Sequence, residues 1–169
     1  AEAEEGIEWV TGAGGQAAIR QLTSGRAGAS LATSFRFWID RLEAGSANPQ
    51  VVLFRTLGGS NSSAAVELRL LPGAKPRLAA FYTAGNGLSR TLTEAGSVQI
   101  DRKTWILVGI ALDGAGGKPA SQSALRWWVD GKEISAIPKI TPPANLMVGG
   151  LELGIVQAEG CGAEIIVDE

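Results

Sequence analysis

In Leu125-Arg126-Trp127-Trp128-Val129-Asp130-Gly131-Lys132, apolar and polar side chains alternate until an Asp-Gly pair interrupts them. A period of two puts successive side chains on opposite faces of a β-strand. Asp-Gly suits a tight hairpin turn, because glycine adopts positive φ without steric cost. This stretch therefore predicts a half-buried strand, a short turn and a returning strand.

The same period recurs on either side. Ser34-Phe35-Arg36-Phe37-Trp38-Ile39-Asp40 puts Phe35, Phe37 and Ile39 on one face, and Val66-Glu67-Leu68-Arg69-Leu70 alternates likewise. Val51 to Phe54 and Ile106 to Leu112 are apolar on both faces, which predicts central strands covered on both sides. Turn signals separate the runs: Gly58-Gly59-Ser60-Asn61, Pro72-Gly73-Ala74-Lys75-Pro76, Asn86-Gly87 and Asp113-Gly114. The 23 glycines suit many turns and break any helical stripe. The prediction is an all-β chain, a sandwich or barrel of short antiparallel strands.

A chain of 169 residues can bury roughly 70% of its unfolded surface as one domain, without a disulfide staple. With 45% hydrophobic and 19% charged residues it is globular. A net charge of −2 leaves no basic excess for phosphates, so no nucleic-acid partner is expected. No apolar run nears the roughly 20 residues of a membrane span, and no membrane insertion is expected. Residues 1–6, acidic and alanine-rich, read as a tail before a single domain over residues 7–169. The first residue is Ala1, which fits a leader already removed and an extracellular or cell-surface location.

Histidine is absent. That removes Ser-His-Asp, Cys-His and His-metal arrangements together. Cys161, between Gly160 and Gly162, reads as a small buried thiol at a turn before the last strand, with an intermolecular disulfide or reactive thiol as alternatives. Val10-Thr11-Gly12-Ala13-Gly14-Gly15-Gln16-Ala17 matches a dinucleotide fingerprint, and Asp40 follows at a suitable distance. The helix this site requires would run through Thr23-Ser24-Gly25-Arg26-Ala27-Gly28, which breaks it. A glycine-rich turn between two strands is the better reading.

Five stretches together resemble the concanavalin A-like lectin/glucanase superfamily, in particular its laminin-G-like domains. They are Phe35 to Ile39; Val66 to Leu70 followed by Arg77-Leu78-Ala79-Ala80-Phe81-Tyr82; Trp105 to Gly114; Leu125 to Lys132; and Ile165-Ile166-Val167-Asp168-Glu169. Trp128 stands where a tyrosine is more usual. The resemblance implies a two-sheet antiparallel β-sandwich, a jelly roll, with the first and last strands side by side. The chain stops at Glu169 where family members usually continue, which suggests a fragment, a processed form, or a subunit ending in the sheet.

Glycosidases of this superfamily need two carboxylates across the scissile bond. Their Glu-x-Asp-x-Glu alternation is missing, and Glu164, Asp168 and Glu169 have the wrong phase. No enzyme is expected. The resemblance also allows calcium, with Asp113 and Asp168 as the metal candidates, although Asp-Gly is equally an ordinary turn pair. Arg36-x-Trp38-x-Asp40 and Arg126-x-Trp128-x-Asp130 repeat one pattern opposite the apolar face, and Tyr82 joins them if its strand is adjacent. These residues form either packing, a platform for a glycan, or another protein's docking surface. Trp9, Trp105 and Trp127 read as core or strand-end packing. Asn61-Ser62-Ser63 is a glycosylation sequon. The expected function is a non-catalytic binding or adhesion module with a carbohydrate ligand. The alternative is a structural subunit of a coat, filament or virion that self-associates through its sandwich.

Overall fold

A computed structural model of the chain describes residues 7–11, 17–22, 30–58, 66–84, 91–113, 124–137 and 148–168. These residues form twelve strands: β1 (Ile7–Thr11), β2 (Ala17–Leu22), β3 (Ser30–Ala44), β4 (Gln50–Gly58), β5 (Val66–Leu71), β6 (Arg77–Ala84), β7 (Thr91–Gln99), β8 (Trp105–Asp113), β9 (Ala124–Val129), β10 (Lys132–Ile137), β11 (Val148–Glu159) and β12 (Cys161–Asp168). The first sheet has the order β1-β12-β3-β8-β9-β10 and the second β2-β11-β4-β5-β6-β7. Every pairing is antiparallel. Among the described residues no helix is long and apolar enough to cross a membrane.

Alternation builds the core. Phe35, Phe37 and Ile39 of β3 face Leu68, Leu70 and Leu78 of the second sheet in one buried cluster. Phe35 stacks on Phe54 across the sandwich, ring centroids 5.9 Å apart. Trp127 is fully buried and donates its Nε1–H to the Ala95 carbonyl at 3.1 Å, so its indole ties the two sheets without stranding a donor. The first and last strands pair as expected, Ile7 opposite Val167 through Thr11 opposite Ala163. The Asp130-Gly131 turn has φ of +50° and +77°, the two positive values that a two-residue hairpin matching strand twist requires. Where a dinucleotide helix would begin, Ala17–Leu22 is a strand paired with β11.

One of the two expectations about covered strands needs correction. Val51 to Phe54 is buried throughout: the β4 bulge between Val52 and Phe54 sends both Leu53 and Phe54 into the core, and Val52 is buried on the opposite face. Ile106 to Leu112 is covered on one face only: Leu107 is half exposed, and Trp105, expected in packing, is 45% exposed. The side chain of Trp9, the sequon at residues 61–63 and the turn candidates at residues 86–87 lie outside the described residues, as do the tail at residues 1–6 and Glu169.

Cys161 opens β12 at the core and is fully buried, its Sγ 3.2 Å from the Gln50 carbonyl. Burial pushes its thiol pKa up. The small buried thiol is the outcome.

Candidate functional site

The outer face of the second sheet carries what the sequence analysis overlooked. Register aligns Glu152, Arg55, Glu67, Phe81 and Glu94 in one row across β11, β4, β5, β6 and β7, and pairs Arg20 of β2 with Glu152 at its end. A second row holds Gln157, Val52, Arg69, Ala79 and Ser97. Between the two rows the ladders slip, in β11 between Leu153 and Gln157, in β4 between Val52 and Phe54, and where β7 meets β6 beside Ala79 and Phe81. Bulges bend and twist a strand. Three of them lie at one level, between the two rows.

The side chains form a network. Arg55 Nε donates to Glu152 Oε2. Arg69 donates through Nε and Nη2 to one oxygen of Glu67, at 2.9 and 2.7 Å, and through Nη1 to Gln50 Oε1 at 3.0 Å. Gln50 donates to Glu159 at 2.6 Å, and Gln157 donates to the other Glu159 oxygen. The Arg69 guanidinium also lies 4.6 Å from the Phe81 ring centroid, a cation–π contact.

Electrostatics make this face unusual. Glu152 is 5% exposed and Arg55 26%, on a sheet face that no described strand covers. Desolvating an ion costs several kcal/mol unless it is paired and hydrogen-bonded. Here every buried carboxylate meets a guanidinium. Arg69 is held on three sides, so its position is fixed before any ligand arrives. Fixed guanidinium edges recognise carboxylates, and the amides and Glu159 supply donors and acceptors for hydroxyls.

The residues predicted from sequence lie elsewhere. Arg36, Trp38, Arg126 and Trp128 share the outer face of the first sheet. Trp38 and Trp105 are paired in register with centroids 6.0 Å apart. Asp40 is exposed at a slip in the β3–β12 ladder. Asp130 sits in the hairpin turn, where its Oδ1 accepts the Leu107 N–H at 2.9 Å, a structural duty. Tyr82 does not join them. It belongs to β6 of the other sheet and packs inward against the core. The metal candidates are not brought together: Asp113 pairs with Ser30 and Asp168 with Arg36, about 20 Å apart along β3. Asp168 is held by the Arg36 guanidinium. No cluster of three or more metal-ligating side chains occurs among the described residues.

No family model matches the chain, and no curated protein does. Solved structures do. The endo-β-1,4-glucuronan lyase of the fungus Trichoderma reesei superposes with a TM-score of 0.64 over 98% of this chain and 89% of its own, at 11% identity. Alginate lyase Aly36B gives 0.66 over 99% and 80%, at 10% identity. Alginate lyase PA1167 from Pseudomonas aeruginosa gives 0.58 over 91% and 72%, at 17% identity. At such identities the likeness establishes the fold: the chain is a concanavalin A-like jelly roll. The expectation of a non-catalytic adhesion module, or a structural subunit, and of no enzyme, is overturned. The three structures named above, which match over 91–99% of this chain, are polysaccharide lyases. The absence of histidine excludes particular triads and does not by itself exclude an enzyme.

Proposed function

We propose that the chain is a polysaccharide-cleaving enzyme of the lyase type, working on the outer face of the second sheet. The observation that carries this is the preorganised Arg69, locked between Glu67, Gln50 and Phe81 on an otherwise open sheet. A lyase cleaves next to a uronate by β-elimination. The carboxylate beside the acidic carbon must have its charge balanced, and a base must take the carbon-bound proton. The electron pair then forms a carbon–carbon double bond as the glycosidic oxygen leaves with a proton from water.

Arg69 is the group for the first task and Arg55 flanks it. Fixed positive charge where negative charge develops is the strongest kind of transition-state stabilisation. For the second, Glu159 is the accessible carboxylate of the network, oriented by Gln50 and Gln157, whereas Glu67 and Glu152 are buried against arginines. The lyases among the matched structures support the same reading. A polymer substrate of this kind is met outside the cell, which accords with a secreted location.

The test is incubation with polyuronates, reading the ultraviolet absorbance of the unsaturated end. Arg69→Lys keeps the charge but loses the fork that grips Glu67 and Gln50. It should lower the rate by about 100-fold or more, with an unchanged circular-dichroism spectrum. A folded wild-type chain that leaves glucuronan, alginate and other polyuronates intact would end the proposal.

A further inference from the structure

The outer face of the first sheet has no part in that chemistry, yet it is built with care. Trp128 of β9 is paired with Gly109 of β8, and a Cβ on Gly109 would already touch the indole Cε3 at 3.4 Å. With no side chain at Gly109, the Trp128 ring lies down over the neighbouring strand. Trp38 and Trp105 sit side by side on β3 and β8 toward the other end of the same face. Leu107, half exposed, lies between the two aromatic groups in β8. Exposed large apolar groups gathered on one face mark a contact surface.

The arginines indicate what the contact is with. Arg36 lies over Trp105 at 5.4 Å and Arg126 over Trp128 at 5.0 Å. Each is paired with an acid, Arg36 with Asp168 and Arg126 with Glu133. The acids lie deeper: Arg36 is 45% exposed against 9% for Asp168, and Arg126 55% against 35% for Glu133. At these two pairs an approaching ligand meets indoles and guanidinium edges before it meets carboxylates, while Asp40 stands exposed beyond Trp38. Indole faces suit the C–H faces of sugar rings, and outward guanidinium groups suit carboxylates.

We propose that this face is a second, non-cleaving binding surface for an acidic polysaccharide, holding the polymer on the side opposite the cleavage face. The choice of polymer rests on the polysaccharide reading above. The surface itself rests on the indoles and arginines.

The experiment measures retention of the full chain on immobilised alginate, with neutral dextran as control, alongside cleavage of short uronate oligomers. The wild type should be retained on alginate and not on dextran. Trp105→Ala and Trp128→Ala should each weaken retention about tenfold and leave oligomer cleavage unchanged. Arg126→Gln should flatten the salt dependence. Retention indifferent to both tryptophans, or equal on dextran, would overturn the proposal. So would a dimer in light scattering that Trp105→Ala dissociates, since the face would then be a protein interface. If Arg69→Lys abolishes cleavage and retention together, one face does everything and the second surface falls. If retention needs the indoles while nothing is cleaved, the surface stands and the lyase proposal falls alone.

Discussion

The two outer faces of this sandwich use the same side-chain type in opposite ways. On the first sheet, arginines lie over tryptophans at the surface with their acids tucked beneath. On the second, arginines are sunk among glutamates and glutamines, and one of them is wedged against Phe81. The first face leaves its arginines and Glu133 in water, so the Arg126–Glu133 pair contributes little, while Asp168 is as buried as Glu67. The second withdraws its charges from water, so each depends on its partner. An exposed guanidinium beside an indole suits the grip on a long polymer. A fixed, dry one suits a step that must stabilise developing charge.

Breaking a pair on each face tests this contrast most strongly. Glu152→Ala leaves Arg55 without its bound carboxylate and should cost about 3–5 kcal/mol of unfolding free energy. Glu133→Gln, at an exposed pair, should cost under about 1 kcal/mol. Urea denaturation reads both, and equal losses would erase the distinction between the faces.

A smaller effect concerns the first face alone. Gly109→Val fills the space on which the Trp128 indole rests and should force the ring away. The expected cost is about 1–2 kcal/mol, with a change in tryptophan fluorescence. An unaltered spectrum and midpoint would mean that the ring does not depend on the glycine.

The smallest effect uses Cys161 as a reporter between the sheets. Its Sγ lies in β12 of the first sheet, against the Gln50 carbonyl of the second. Burial raises its pKa, so the folded state holds the thiol proton more tightly than the unfolded chain. Stability from this group is complete below the unfolded pKa and declines as pH rises through the folded one. In the native protein a thiol reagent should therefore react only through opening of the sandwich. Glu152→Ala should speed that reaction and Glu133→Gln should not. Rapid labelling of the wild type would show that the sheets part locally.

The strands were legible along the chain, because a period of two is a local property that each stretch displays unaided. Phe35, Phe37 and Ile39 point to the core in isolation as they do in the fold, and Asp130-Gly131 specifies its own turn. The sequence also placed Arg36, Trp38, Arg126 and Trp128 opposite the core, since alternation fixes the face. Which strands lie together depends on the packing of the whole chain and is not written in any one stretch. Tyr82 fell into the other sheet, pointing inward, and Asp113 and Asp168 fell far apart along β3. The charged network was invisible for the same reason: Glu152 of β11 is remote in sequence from Arg55 and Glu67 of the consecutive strands β4 and β5, and only pairing puts the three in one row. Bulges added the rest, because an extra residue breaks the period of two between the two rows. Alternation says which way a side chain points. Register, set by the packing of the whole chain, says what it meets.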